Sequence, residues 1–516
     1  MGPRETIDPL IQALLNPDRH GKGVTAVTLV ETHISWVLLT GEIALKIKKP
    51  VTLPFLDFSS ADARRRYCEE EIRLNRRLAP EIYLDVVSIG GTRDDPILDD
   101  EPAIDYAVRM REFPADARLD RQIANGAVRS AEIAELAELI GEFHAQLPAA
   151  PIHSDYGAAA AIIRSVEKNL AETAAAVPAT LGPDSVVHRY VRDQGKRLRN
   201  ALTQRKQAGA IKEGHGDLHL ENLVRWRDRL LPFDALEFDP ELRWIDVIDE
   251  AAFVVMDLVA HGSKDLAFTF LNRYLEITGD YDGLSVLRYY LVHRALVRAK
   301  VRAIKAAQTD DLNPATEAGP YLTLADDLVV TNRPLLVITR GYSGSGKTTW
   351  SGDLIPTLPA IRLRSDVERK RLAGFSERQR SGSPVAGGIY AEDMSVLTYA
   401  TLARHAETGL GAGLNVIVDA AFLLGEQREL FAKLANRAEA DFVILECAAE
   451  PETLRNRIAA RQAAGADVSE ADISVLEYQL ETSDCLTDTE RRRTVVIDTE
   501  GIRNSQRVLE QILAVR

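Results

Sequence analysis

The chain has 516 residues, 46% hydrophobic and 27% charged, and its 63 Lys and Arg against 77 Asp and Glu leave a formal charge of −14. This composition supplies packed cores and excludes a disordered chain. The acidic balance disfavours a broad nucleic-acid or anionic-membrane footprint, so small-molecule substrates gain weight. Length alone admits three or four domains, or two large ones. Cys68, Cys447 and Cys485 are few, odd in number and far apart, which fits a reducing cytosol better than a disulfide framework. No basic-then-apolar signal pattern opens the sequence, and no uncharged apolar run approaches the ~20 residues of a membrane span, so the expected location is cytoplasmic and no membrane partner is expected.

Residues 6 to 16 predict a short helix. From Val27 the pattern becomes β, with Val27 to Val30, Ile34 to Leu39, a Thr40-Gly41 turn and Ile43 to Lys48 forming a hairpin-rich lobe. Lys46 and Lys48 share one strand face because side chains repeat every second residue. A strand lysine on the inner face of such a lobe can hold nucleotide phosphates; alternatively Lys46, Lys48 and Lys49 form a solvated basic edge. Residues 60 to 78 predict a helix in which Glu71 lies beside the apolar stripe of Leu74 and Leu78 and can turn inward toward the strand lysine. Glu70 is its competitor, and a fully solvated charged helix is the plainer alternative. Ile104 to Met110 follows as a strand, Arg111 to Pro114 as a connection between lobes, and Ser130 to Gln146 as a core helix with Ile133, Leu136, Leu139, Ile140 and Phe143 on one side.

The densest chemical cluster is His215-Gly216-Asp217-Leu218-His219-Leu220-Glu221-Asn222, followed by Leu230-Leu231-Pro232-Phe233-Asp234. Asp217 can orient and deprotonate an acceptor hydroxyl, while Asn222 and Asp234 can ligate Mg²⁺ through hard oxygens. Segments Val224 to Trp226 and Leu230 to Leu231 predict a hairpin that brings Asn222 and Asp234 side by side. His215 and His219 have a metal-ligand spacing only if helical; on a loop His215 reads better as a structural hydrogen-bonding residue. Asp246, Asp249 and Asp257 can line an acceptor pocket or cap helices, and neither role is assigned. Asp310 to Pro314 breaks the helical pattern, Glu317 to Leu328 predicts a closing helix, and Thr331-Asn332-Arg333-Pro334 leads into the next strand. The expected domains are therefore 1–330 and 331–516.

Gly341 to Thr348 reads Gly-Tyr-Ser-Gly-Ser-Gly-Lys-Thr and fits G-x-x-x-x-G-K-[ST], with the strand-like Leu335 to Thr339 before it and a helix opening at Thr349-Trp350 after it. Main-chain N–H groups from Gly341 through Ser343, Gly344, Ser345 and Gly346 to Thr349 are candidates for cradling phosphates, with Lys347 on the β and γ phosphates and Thr348 on Mg²⁺. A ligand-free glycine-rich turn is the alternative. Ile361 to Leu363, Asn415 to Val418, Phe442 to Glu446 and Thr494 to Ile497 complete a predicted five-stranded parallel sheet wrapped by helices. Ligands gather at the C-terminal ends of such strands, where Asp366 can accept a hydroxyl proton and Asp419 can support Mg²⁺ or substrate. Helix N-capping is the competing role for both. Helix Pro451 to Ala463 carries Arg457 and Arg461 one turn apart, and Gln462 to Asp467 after it has a composition suited to a lid delivering them to a transferring phosphoryl group. Ordinary solvated arginines are the alternative.

Through His215-Gly216-Asp217, Asn222 and Asp234, with the Lys46 strand and the Phe143-His144 helix in support, residues from about 25 to 330 resemble the aminoglycoside phosphotransferase family, relatives of protein kinases that include choline, fructosamine and homoserine kinases. The resemblance implies a two-lobed α+β kinase fold acting on a small-molecule hydroxyl. Asp217 would be its catalytic base, Asn222 and Asp234 its magnesium ligands, and Lys46 with Glu71 its phosphate-binding pair. The chain departs from that pattern in having no glycine-rich loop, Glu31 to Ser35 standing in its place, and in continuing past Asp234 as Ala235-Leu236-Glu237. Through Ser365 to Lys370, Val418 to Phe422 and Arg457/Arg461, the second half resembles compact P-loop kinases related to gluconate kinase, polynucleotide 5′-hydroxyl kinase and the zeta-toxin group. The whole resembles a bacterial fusion of the two kinds. It implies a bifunctional phosphotransferase using ATP and Mg²⁺. The alternatives are a chain whose first half is a substrate-binding or regulatory pseudokinase, and a 5′-hydroxyl nucleic-acid kinase, which the acidic balance disfavours.

Overall fold

Alternation along one strand separates two cores in the first sheet. The computed structural model describes residues 8–53, 56–178, 180–308, 312–330, 332–377, 379–383, 387–464 and 471–516. Asp310 and Asp311 of the predicted break, Thr331, and 465–467 of the predicted lid lie outside these. A short helix α1 (Pro9–Leu14) precedes the antiparallel strands β1 (Thr28–Glu31), β2 (Ser35–Leu39) and β3 (Ile43–Lys48). Leu45 and Ile47 of β3 pack with Leu10, Ile11 and Leu14 of α1. Ala44, on the opposite face, packs with Cys68 and Ile72 of helix α2 (Ala61–Asn75). Lys46 and Lys48, at the same parity as Ala44, therefore project to the α2 side. Strands β4 (Tyr83–Gly91), β5 (Pro96–Leu98) and β6 (Asp105–Arg111) complete a six-stranded antiparallel sheet ordered β1-β2-β3-β6-β4-β5.

A buried bidentate pair fixes α2 against this sheet, Arg64 donating to Asp105 at 2.7 and 2.9 Å. Helix α3 (Ser130–Gln146) follows, and farther on the hairpin β7 (Leu223–Trp226) and β8 (Arg229–Pro232) pairs Leu223 with Pro232. The hairpin brings Phe233 N–H to the Asn222 carbonyl at 3.0 Å, which sets Asp234 beside the loop that carries Asp217.

By packing, the chain forms two compact units, one of Met1–Arg164 with Leu202–Asp257, the other of Ser165–Ala201 with Leu258–Arg516. Residues 258–330 thus pack with the P-loop portion of the chain. In this second unit β9 (Leu335–Arg340) leads through the P-loop into helix α5 (Lys347–Leu354), and with strands β10 (Ala360–Arg364), β11 (Asn415–Asp419), β12 (Asp441–Ala448) and β13 (Thr494–Asp498) it forms an all-parallel sheet ordered β10-β11-β9-β12-β13. All six residues of central β9 are buried, as a strand covered on both faces requires. Leu335, Val337, Trp350, Leu354, Val443 and Leu445 form its core on one face. At the sheet's edge the helix α4 (Lys264–Thr278) lies along β10, where Asn272 donates to the Ala360 carbonyl at 2.9 Å and accepts from Arg362 N–H at 2.6 Å. Among the described residues no helix is long and apolar enough to cross a membrane.

Leu445 is fully buried in this core. Leu445→Ala should therefore cost about 2–5 kcal/mol of stability, read as a lower urea midpoint with a preserved slope.

Candidate active sites

In the first unit the α2-facing lysines meet a shared carboxylate. Glu71 is fully buried and accepts from Lys46 Nζ at 2.9 Å through Oε1 and from Lys48 Nζ at 2.7 Å through Oε2. Lys46 also contacts Asp234, and Lys48 contacts Glu237. Burial raises a carboxyl's pKa, but here the two lysine charges and their hydrogen bonds prevail and hold Glu71 at about 2. Burial likewise opposes the charged form of Lys46, and the carboxylates of Asp234, Glu71 and Glu237 reverse that, raising it well above the ordinary lysine value. The lysines are thus buried in an ion-paired cluster, with only Lys49 left to an outer pair with Glu31. Glu70 turns away to Arg73 and Arg243. Glu237 escaped the sequence reading as Lys48's partner. The available signal was electrostatic: two lysines on one buried strand face need more than one carboxylate.

Asp234 sits in the left-handed region, φ 62°, where a non-glycine residue is strained. Flanking contacts hold it there: its N–H donates to Tyr83 Oη at 2.9 Å, and Ala235 N–H donates to Asn75 Oδ1 at 2.9 Å. The Asp217 loop is held from below. Glu250 Oε1 accepts from the N–H groups of His215 and Gly216, both at 2.6 Å, and Glu250 Oε2 accepts from His144 Nε2 at 2.7 Å. Gly214 allows this approach, since a Cβ there would lie 2.4 Å from Glu250 Oε2. His215 Nε2 donates to the Phe233 carbonyl at 2.9 Å, a structural tie between the two loops. Asp257 accepts from Leu220 N–H at 2.9 Å and Asp246 pairs with Arg205 at 2.6 Å, so both brace the main chain and its helices. Glu250 was not singled out from sequence, and its partner His144 entered only with the helix that supports the resemblance; the contact between them spans a long stretch of chain.

Asn222 Nδ2 donates to the Asp217 carbonyl and to Asp217 Oδ2, each at 3.0 Å, which leaves its Oδ1 for an outside partner. The Asp234 side chain is 42% exposed. These are oxygen donors of the kind Mg²⁺ takes. Among the described residues no cluster of three or more His, Cys, Asp or Glu is built to hold a metal alone.

In the second unit Thr339 ties the end of β9 to the end of β11, its hydroxyl donating to the Ala420 carbonyl at 2.7 Å and accepting from Ala420 N–H at 3.1 Å. The following loop turns through Gly341, Gly344 and Gly346, the last two at φ 80° and 87°. Lys347 arcs back over it and donates to the carbonyls of Gly341 at 2.9 Å and Tyr342 at 2.8 Å. Burial lowers its pKa, with Asp419, Cys447 and Asp366 pulling the other way. A cavity of about 320 Å³ opens beside the loop, and Lys347, Thr348, Asp366, Asp419, Arg457 and Arg461 all line it. Asp419 accepts from Ser351 Oγ at 3.0 Å. Asp366 lies in the first turn of helix α6 (Ser365–Leu372), caps no backbone N–H, and has no hydrogen-bond partner among the described residues. From helix α7 (Pro451–Ala464), Arg457 donates to the Gly344 carbonyl at 3.3 Å and Thr499 Oγ1 at 2.9 Å, and Arg461 donates to the Ala471 carbonyl at 2.5 Å. Gln479 accepts from Ser343 N–H at 2.8 Å, and Arg364, Arg369, Tyr390 and Tyr399 join the cavity wall; the sequence analysis assigned a site role to none of these five, Arg369 entering it only within the Ser365 to Lys370 motif.

Two outcomes follow from this geometry. Burial pushes Glu250 up, but His144, His215 and the Gly216 N–H outweigh it and hold Glu250 at about 2. A depressed carboxyl stabilises the fold above its ordinary value of 4.5, and that contribution, on the order of a few kcal/mol, is lost as pH falls from there toward 2. Glu250→Gln should therefore be less stable at neutral pH yet lose less on acidification, measured by urea unfolding across that range. A Cβ on Gly341 would lie 2.5 Å from Ser345 Oγ and 2.7 Å from the Cys447 carbonyl. Gly341→Ala should cost about 1–3 kcal/mol by overpacking and weaken binding of a fluorescent nucleotide, read by titration.

The family model described as AAA domain matches residues 336–486. An uncharacterized protein of Mycobacterium tuberculosis is 30% identical over 445 residues, covering 85% of this chain and 87% of the relative, and a Mycobacterium bovis protein matches to the same extent. Among solved structures, a choline/ethanolamine kinase family protein from Mesorhizobium loti aligns at 12% identity over 60% of this chain and 90% of its own, with a TM-score of 0.38. A gluconokinase from Sinorhizobium meliloti aligns at 20% identity over 36% of this chain and 93% of its own, with a TM-score of 0.25. The chain belongs to the family that the mycobacterial proteins represent, and within it residues 336–486 match the AAA domain model.

Proposed function

We propose that the protein is a bifunctional kinase with two Mg·ATP sites, one in each unit, each transferring a γ-phosphoryl group to the hydroxyl of a small molecule in the cytoplasm. The observation that carries this reading is the shared cavity of the second unit, lined both by the P-loop lysine and by Asp366, a carboxylate with no hydrogen-bond partner among the described residues. Mg·ATP supplies the activated phosphoryl group and the neutralisation of its charge. In the second unit, main-chain N–H groups of the P-loop and Lys347 bind phosphate oxygens, Thr348 and Asp419 are the candidate metal-side oxygens, and Asp366 takes the acceptor's proton. Arg457 and Arg461 reach the rim where charge develops during transfer. In the first unit, Lys46 held by Glu71 binds phosphate, Asn222 and Asp234 offer the metal its oxygens, and Asp217 takes the acceptor's proton.

A second reading confines catalysis to the P-loop site. It is favoured by the β1–β2 connection, a tight turn closed on itself by Thr32 N–H to the Ser35 carbonyl at 2.9 Å and Ser35 N–H to Thr32 Oγ1 at 3.0 Å, with no glycine-rich cover. Labelled γ-phosphate transfer into a pooled polar-metabolite extract decides between them. Lys347→Ala and Asp217→Asn should each abolish a different subset of labelled products, with losses of about 10²–10⁴ for the proton acceptor. Loss of products from Lys347→Ala alone supports the second reading, and full labelling in both variants sinks the two-site proposal.

A further inference from the structure

We infer that Glu276, on the helix Lys264–Thr278, is a positioning residue for the P-loop site, holding Arg364 at the wall of the acceptor cavity. The inference rests on the phosphotransferase reading of that site. It assigns part of the site to a helix that precedes the P-loop strand by more than fifty residues of chain.

The helix is stitched to the sheet through β10, the strand that ends at Arg364. Asn272, nearly fully buried, completes that edge by bonding both the Ala360 carbonyl and the Arg362 N–H, as a neighbouring strand would. One turn later Glu276, also buried, receives Arg362 Nη2 at 2.9 Å, and its second oxygen lies 3.4 Å from Arg273 Nη1 and 3.9 Å from Arg364 Nη1. Its main-chain carbonyl accepts from Arg371 Nη2 at 2.5 Å, and Arg371 belongs to α6, the helix that carries Asp366. One residue thus grips both the strand before Arg364-Ser365-Asp366 and the helix after it.

Arg364 differs from the arginines around it. Arg362 is bonded to Glu276, Arg369 to the Ile389 carbonyl and Ser395, and Arg371 to Glu276 and Glu368. Arg364 has only loose ion pairs, with Glu276 and with Glu377 at 3.7 Å, and its N–H groups make no hydrogen bond among the described residues. It lines the cavity with Asp366. Glu276 is the carboxylate acting most strongly on its guanidinium, ahead of Asp419, Asp366 and Glu377, and its N–H donors are not committed to any hydrogen bond among the described residues, as recognition of an oxygen-rich or anionic group on an acceptor requires.

The test uses the full chain carrying Asp217→Asn, so that transfer reports the P-loop site, with the most strongly labelled compound of the metabolite extract as acceptor. Glu276→Gln should raise the acceptor KM about tenfold while KM for ATP and kcat stay within about twofold, and adding it to Arg364→Gln should produce no further loss. Independently of any acceptor, Glu276→Gln and Asn272→Ala should each speed amide hydrogen exchange across residues 360–372 about fivefold and leave 335–340 unchanged. Unchanged exchange at 360–372, additive effects of the Glu276 and Arg364 changes, or an equal rise in KM for ATP overturns the positioning role. Labelling that survives both Lys347→Ala and Asp366→Asn instead overturns the reading of the site, and the exchange experiment tells the two failures apart.

Discussion

A charge removed from water must keep a partner, and this constraint organises both units. In the first, Glu71 is shielded from solvent, so Lys46 and Lys48 are drawn onto its two oxygens, and Asp234 and Glu237 complete the cluster. The same logic places Glu250 under the Asp217 loop with His144 and two main-chain N–H groups. In the second unit Glu276 gathers Arg362, Arg273 and Arg364. Separating any one of these carboxylates from its partners leaves a buried charge uncompensated, a penalty larger than an exposed salt bridge contributes. The chemistry-bearing residues are therefore held by electrostatic necessity as much as by packing.

Backbone conformation is the second constraint, and the units meet it differently. The P-loop relies on glycine at positions where a side chain has no room or the dihedral is unfavourable. Asp234 has no such freedom, and its strained conformation is held from both sides by Tyr83 and Asn75. A loop of glycines is locally encoded, whereas a strained aspartate depends on residues more than a hundred positions away.

That difference explains what was legible beforehand. Strand β3 and helix α3 match their predicted limits, and the parallel sheet has its five expected strands, because period-two alternation and apolar runs are local signals. The P-loop and the Asp217–Asn222–Asp234 spacing were equally readable as motifs. Glu237, Glu250 and Gln479 were not, since their significance lies in what they face rather than in what flanks them. Packing of residues 258–330 with the P-loop sheet was also hidden: a break near Pro314 and a motif at Gly341 mark positions along the chain, while Asn272 and Glu276 look like ordinary members of an amphipathic helix.

The five-stranded sheet ends in two unlike borders. Among the described residues the outer strand β13 has a strand neighbour on one side only, and its Val496 is 59% exposed. The opposite border, β10, is sealed by an asparagine that imitates a strand. A fragment cut at the P-loop strand would strip that seal and offer raw main-chain donors and acceptors on both flanks, a template for copies to join edge to edge. Keeping the chain from Lys264 onward preserves a terminated border, a seal against edge-to-edge joining that a motif-based cut would discard.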